Sequence, residues 1–136
     1  RVIAEFKNQN RPDEEIPDNI YSEEGVSFHV MGDVDGKMVE YIRFDCLNEG
    51  PHYHYICYAR DFKDDTNHAI VRSIEPLADG EAIPWALGRL ETRLPKMLAF
   101  AGRGDLASQI EGSAEYKAAL PNAAARAKSL VANPPF

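Results

Sequence analysis

Residues 38–60 read MVEYIRFDCLNEGPHYHYICYAR, and their reading decides the fold. On either side of Asn48-Glu49-Gly50-Pro51 the chain is rich in Tyr, Ile, Phe and Val, residues that suit a pleated, half-buried surface. The four residues between them are turn formers. Met38–Leu47 and His52–Arg60 therefore read as two strands of one antiparallel hairpin. Upstream, Val26–Met31 alternates and is followed by Gly32-Asp33-Val34-Asp35-Gly36, in which Asp-Gly is the strongest turn signal. Downstream, Asp64-Asp65-Thr66-Asn67 turns the chain again into His68–Glu75.

Past residue 75 the chemistry changes to Ala, Leu and Arg. Ile83, Leu87, Leu90, Leu94, Leu98 and Ala101 recur at helical spacing, which predicts a helix of about 20 residues kinked at Pro95. A short helix is expected over Asp105–Glu111, and another after the cap Ser113, which Pro121 interrupts. The fold class is thus α+β: an antiparallel four-stranded meander with C-terminal helices packed on one face. A fifth strand joins if Val2–Lys7 pairs. The expected organisation is an acidic N-terminal arm over 1–25, one domain over 26–132 (sheet 26–75, helices 81–132), and a tail over 133–136.

The 136 residues suit a single domain, and the 44% apolar content is that of a globular chain. The net charge of −7 divides into −8 over residues 1–75 and +1 over the rest. Such a balance argues against nucleic acid or an anionic membrane as the main partner. No apolar run approaches the ~18 residues of a membrane span. The two cysteines are too few for a disulfide scaffold, and a cytoplasmic location is expected. Four predicted rows separate Cys46 from Cys57, about 13 Å, so both read as reduced, buried thiols.

Side chains alternate between the faces of a sheet, so hairpin register assigns neighbours. With four-residue loops, Leu47 opposes His52, Asp45 opposes His54, Arg43 opposes Ile56, and Ile56 in turn opposes Glu75. One face then carries Glu40, Ile42, Phe44, Cys46, Tyr53, Tyr55 and Ile70, and is the one the helices are expected to cover. The other carries Tyr41, Arg43, Asp45, Leu47, His52, His54, Ile56, Tyr58, Val71 and Glu75. Such a mixed polar and apolar face suits a ligand pocket or a subunit contact.

His52-Tyr53-His54 is the strongest chemical signal. Two histidines two apart on a strand point the same way and can reach one cation, with Asp45 as a third ligand or as the group that orients an imidazole. The spacing resembles the His-x-His pair of the cupins. The rest of that pattern is missing, because Tyr58 and Ala59 stand where a glutamate ligand belongs and Gly50 lies too close, so no family is assigned on it. The plainer reading is that these side chains hydrogen-bond across a half-buried sheet. Arg43 with Glu75, and Tyr58 beside them, are candidates for binding a small ligand; the plainer reading is a cross-strand ion pair. Gly102-Arg103-Gly104-Asp105 mimics a dinucleotide fingerprint but follows a helix, where the geometry for pyrophosphate is absent.

Three function classes follow, in this order. The first is a small accessory or interaction domain, a subunit or homo-oligomer that uses the mixed face to meet a protein partner. The second is a metal-dependent enzyme or metal-binding domain whose cofactor is a divalent transition metal on His52, His54 and Asp45. The third is a metal-free binder of a small-molecule ligand through Arg43, Tyr58 and Glu75.

Overall fold

Among the described residues, five strands run in chain order across one antiparallel sheet: β1 (Val2–Pro12), β2 (Ile20–Val34), β3 (Lys37–Leu47), β4 (His52–Tyr55) and β5 (Ile70–Ser73). Five helices follow among these residues: α1 (Pro76–Asp79), α2 (Ala82–Thr92), α3 (Leu94–Phe100), α4 (Gly104–Ile110) and α5 (Ala114–Ala132). The structure, a computed structural model, describes residues 1–12, 20–56 and 70–135. It has the α+β class and the antiparallel meander expected from the alternation, and the fifth strand is the N-terminal one. No helix among the described residues is long and apolar enough to cross a membrane.

Much of the segment expected as an acidic arm is sheet. β1 pairs with β2 along its whole length, from Val2 opposite Val30 to Pro12 opposite Ile20, and β2 begins six residues before Val26. The reason is alternation: Val2, Ala4 and Phe6 all pack against the core. Pro12 costs little because β1 is an edge strand, where a missing donor faces outward.

The core lies between the sheet and the helices. Val26, Phe28 and Val30 of β2, Ile42 and Phe44 of β3 and Tyr55 of β4 meet Ala86 and Leu90 of α2, Leu94 and Leu98 of α3, and Ala123, Ala127 and Leu130 of α5. The single kinked helix expected around Pro95 is instead two helices. α2 ends at its cap Arg93 (φ −124°, ψ −5°), and Pro95 sits in the first turn of α3, where its missing N–H is no loss. Pro121 does not divide α5, which runs unbroken from its Ser113 cap.

The hairpin registers differ from expectation by even steps. Arg43 faces His54 and Asp45 faces His52, two residues from the expected pairing, because Cys46 and Leu47 pair with β2 alone. β4 and β5 are offset by six: His52 faces Ser73 and His54 faces Val71. An even offset keeps every side chain on its face.

One pair of residues did change face. Val30 opposes Ile42 but Met31 opposes Glu40, so Tyr41 is the extra residue of a β-bulge. Tyr41 therefore turns under the helices, where it is buried, and Arg103 at the start of α4 donates from Nη1 to its hydroxyl (3.2 Å). Gly32 makes room for that ring; a Cβ there would lie 2.6 Å from Tyr41 Cε2. Glu40, expected on the covered face, bonds instead to His29 and Arg43 on the open one.

Candidate metal centre

Two rows of side chains cross the open face. Glu5, Ser27, Asp45, His52 and Ser73 form one; Ile3, His29, Arg43, His54 and Val71 form the next. The period-two pattern of the strands places them there: Val26-Ser27-Phe28-His29-Val30 sends its three apolar residues to the core and Ser27 and His29 outward. The alternation of Val26–Met31 carries this signal, but without the register of β2 on β3 it does not place Ser27 and His29 beside Asp45 and Arg43.

Asp45 is a buried carboxylate, 5% exposed. Burying a charge is costly unless it is paired and hydrogen-bonded. Ser27 Oγ donates to Asp45 Oδ1 at 2.5 Å. Asp45 Oδ2 lies 3.0 Å from His54 Nε2 and 3.2 Å from His52 Nε2. The two imidazoles meet edge to face, with centroids 4.6 Å apart. One ligand atom from each of Asp45, His52 and His54 lies within 4.8 Å of the other two. The structure thus brings together the three residues singled out as metal ligands.

The far side of His52 fixes its chemistry. His52 Nδ1 is 2.8 Å from the carbonyl oxygen of Gly50, which can only accept, so Nδ1 carries the proton. A neutral His52 then presents a lone pair at Nε2. That lone pair and the Asp45 oxygen are two acceptors 3.2 Å apart, a juxtaposition that a proton shared between them or a cation held by both would satisfy. A ring nitrogen held by a carbonyl on its other side is the usual arrangement of a ligating histidine.

The other nominated residues fall elsewhere. Arg43 is not paired with Glu75; the residue in its row on β5 is Val71, and Arg43 Nε donates to Glu40 at 3.1 Å. Glu75 caps α1, its side chain accepting from the Ala78 N–H at 2.5 Å. Tyr58 and Cys57 lie outside the described residues. Cys46 is buried on the core face, and burial with the nearby Asp45 charge pushes its thiol up to about 12. It stays protonated, unsuited to be a nucleophile or a ligand.

Beside the triad runs a second acid–histidine chain. His29 Nδ1 bonds Glu40, and His29 Nε2 lies 2.8 Å from Glu5 Oε2. Burial alone would push the Glu40 carboxyl up, but its bonds to His29 and Arg43 hold it at about 2. A depressed carboxylate contributes stability that is present above its unfolded value and lost as pH falls through its folded value. Unfolding in urea should therefore show a loss of about 2 kcal/mol between pH 5 and pH 2 that is missing in Glu40→Gln. Parallel pH profiles for the two proteins would contradict the assignment.

Of the apolar residues expected on the open face, Tyr41, Leu47 and Ile56 are buried within the chain, while Val71 is 52% exposed. A family model described as a domain of unknown function, DUF7700, matches residues 4–127, from within β1 to within α5. No curated protein and no solved structure matches the chain.

Proposed function

Because the chain belongs to the DUF7700 family, whose description assigns no activity, its role rests on the site, and we propose that it is a divalent transition-metal-binding domain. The metal is held by His52 Nε2, His54 Nε2 and Asp45. The observation that carries this reading is the convergence of two imidazole nitrogens on one oxygen of a buried carboxylate, with His52 Nδ1 already engaged by a carbonyl. Two imidazoles and one carboxylate suit zinc, iron(II) or manganese(II). Three protein ligands leave open coordination positions for water and substrate, which is the pattern of a catalytic rather than a structural site. Ser27 holds the far oxygen of Asp45, so the carboxylate keeps its other oxygen toward the histidines. Glu40 occupies the Arg43 guanidinium, so the cation in the neighbouring row meets a compensated charge rather than a bare one.

An accessory or oligomeric role would use the same mixed face. With Tyr41, Leu47 and Ile56 buried within the chain, less apolar surface is left there for a partner, and the metal reading comes first.

The test is metal content after expression in medium supplemented with zinc, iron and manganese. The parent protein should carry close to one equivalent, and His52→Ala/His54→Ala close to none. Loading should fall as pH drops, since a protonated imidazole cannot ligate. Equal metal content in parent and double variant, or none in the parent, overturns the proposal.

A further inference from the structure

The same strand that offers two histidines to the open face offers two tyrosines to the other. Tyr53 and Tyr55 of β4 line a cleft of about 240 Å³ closed on its far side by Trp85, Arg89, Arg93 and Lys96 of the α2–α3 segment. Trp85, Arg89 and Arg93 are spaced by four and form one stripe, and the break in the helix at Arg93 brings Lys96 to the same wall. In a chain of net charge −7, three cations meet here. Among the described residues no carboxylate lines the cleft and none of the three cations forms an ion pair.

We propose that this cleft binds a small organic oxyanion carried on a flat ring, such as an aromatic carboxylate or an aryl phosphate. Three like charges around one small space repel, and an anion between them removes the repulsion. Guanidinium groups are planar forks that fit carboxylate and phosphate oxygens two at a time. Apart from Met97, the remaining wall is aromatic. Trp85 and Tyr53 lie 5.5 Å apart at 41°, and Tyr53 stacks on Phe44 beneath it at 5.7 Å, which fixes a flat apolar surface for a ring. Arg89 already rests over the Trp85 ring at 4.9 Å, so the cation and the aromatic surface are presented side by side.

A second observation points the same way. Trp85 Nε1 is buried and has no hydrogen-bond partner among the described residues. A buried donor left unsatisfied costs about 1–3 kcal/mol, so such groups are rare unless something supplies the acceptor. The Trp85 ring is only half-buried, and a small turn of it toward the cleft would bring Nε1 to an oxygen of the bound anion. The volume is below the ~300 Å³ at which drug-sized pockets begin, which limits the ligand to about one ring and its charged group. The site lies on the opposite face of β4 from the histidines and does not depend on the metal.

Trp85 is the single tryptophan of the chain, so tryptophan emission reports this wall alone. The full chain, in EDTA, is titrated with benzoate and with phenyl phosphate; benzyl alcohol and inorganic phosphate serve as controls, and calorimetry is run in parallel. At least one ring-bearing anion should give a saturable response, with both controls at least tenfold weaker. Tighter benzoate identifies the carboxylate source and tighter phenyl phosphate the phosphate source. Arg89→Gln/Arg93→Gln, checked for folding by circular dichroism, should weaken binding at least tenfold. Should that pair fail to fold, Arg93→Gln and Lys96→Gln, both at exposed positions, should each weaken it at least threefold. No saturable response by either method, benzyl alcohol or inorganic phosphate binding as well as the anions, or unchanged binding by the folded variants overturns the proposal.

Discussion

Phe44→Ala is expected to lower stability by about 4 kcal/mol, the middle of the range for emptying a buried aromatic site. Phe44 is fully buried in the middle of β3 and is the point at which the layers meet. Its cross-strand partner is Phe28, it stacks on Tyr53, and Trp85 of α2 meets it edge-on at 6.2 Å. Alanine leaves a void lined by three rings that the sheet and helix backbones cannot collapse to fill. Urea unfolding measures the loss, and Phe44→Leu should recover about half of it. Trp85 emission should move to longer wavelength in the alanine variant as water reaches the ring. A loss under ~1 kcal/mol would mean that the ring is not the junction described.

Gly25→Ala is expected to cost about 3 kcal/mol, although it adds a single methyl group. Gly25 has φ 153° and faces Leu47, at the end of the β2–β3 ladder. A Cβ there would lie 2.4 Å from the carbonyl oxygen of Cys46 and 2.9 Å from Leu47 Cα, both backbone atoms. A flexible side chain could swing aside; two ladder-bonded backbones cannot. The strain falls on the residue after Asp45, so metal loading should weaken together with stability. A Gly36→Ala control, also at positive φ but with open space around its Cβ, should cost less, about 1 kcal/mol. Equal losses for the two would show that close approach to Cys46 is not what selects glycine at position 25.

The open and covered faces were legible in the sequence because alternation has a period of two and both hairpin offsets were even. The register was not legible. Asn48-Glu49-Gly50-Pro51 marks a turn, but nothing in those residues says that Cys46 and Leu47 remain bound to β2 while β4 starts its pairing at Asp45. Asp45 and His54, expected face to face, touch diagonally instead, and the contact survives because both imidazoles reach the same oxygen. The bulge had no signal in an alternation count, since an extra residue looks like any other member of the run. That is why Tyr41 was expected outside and Glu40 inside. Ser27 and His29 were readable from their own strand. Arg89, Arg93 and Lys96 read as the solvent side of an amphipathic helix, and only the approach of Tyr53 and Tyr55 makes a cleft of them.

The bulge at Tyr41 also sets how the chain can tolerate changes in length. A hairpin connection that gains or loses two residues returns each strand to the same side of the sheet, so homologues with different loops can keep both faces. β3 has no such freedom. Deleting Glu40 would restore an uninterrupted ladder, but it would turn the Tyr41 phenol out onto the open face in place of the carboxylate that holds His29 and Arg43; deleting Tyr41 would restore it by emptying the buried site beside Gly32 and Arg103. Inheritance of this protein is therefore expected to be strict about the residue count of one strand and lenient about the loops on either side of it. An alignment gap placed inside β3 would be the mark of a different domain.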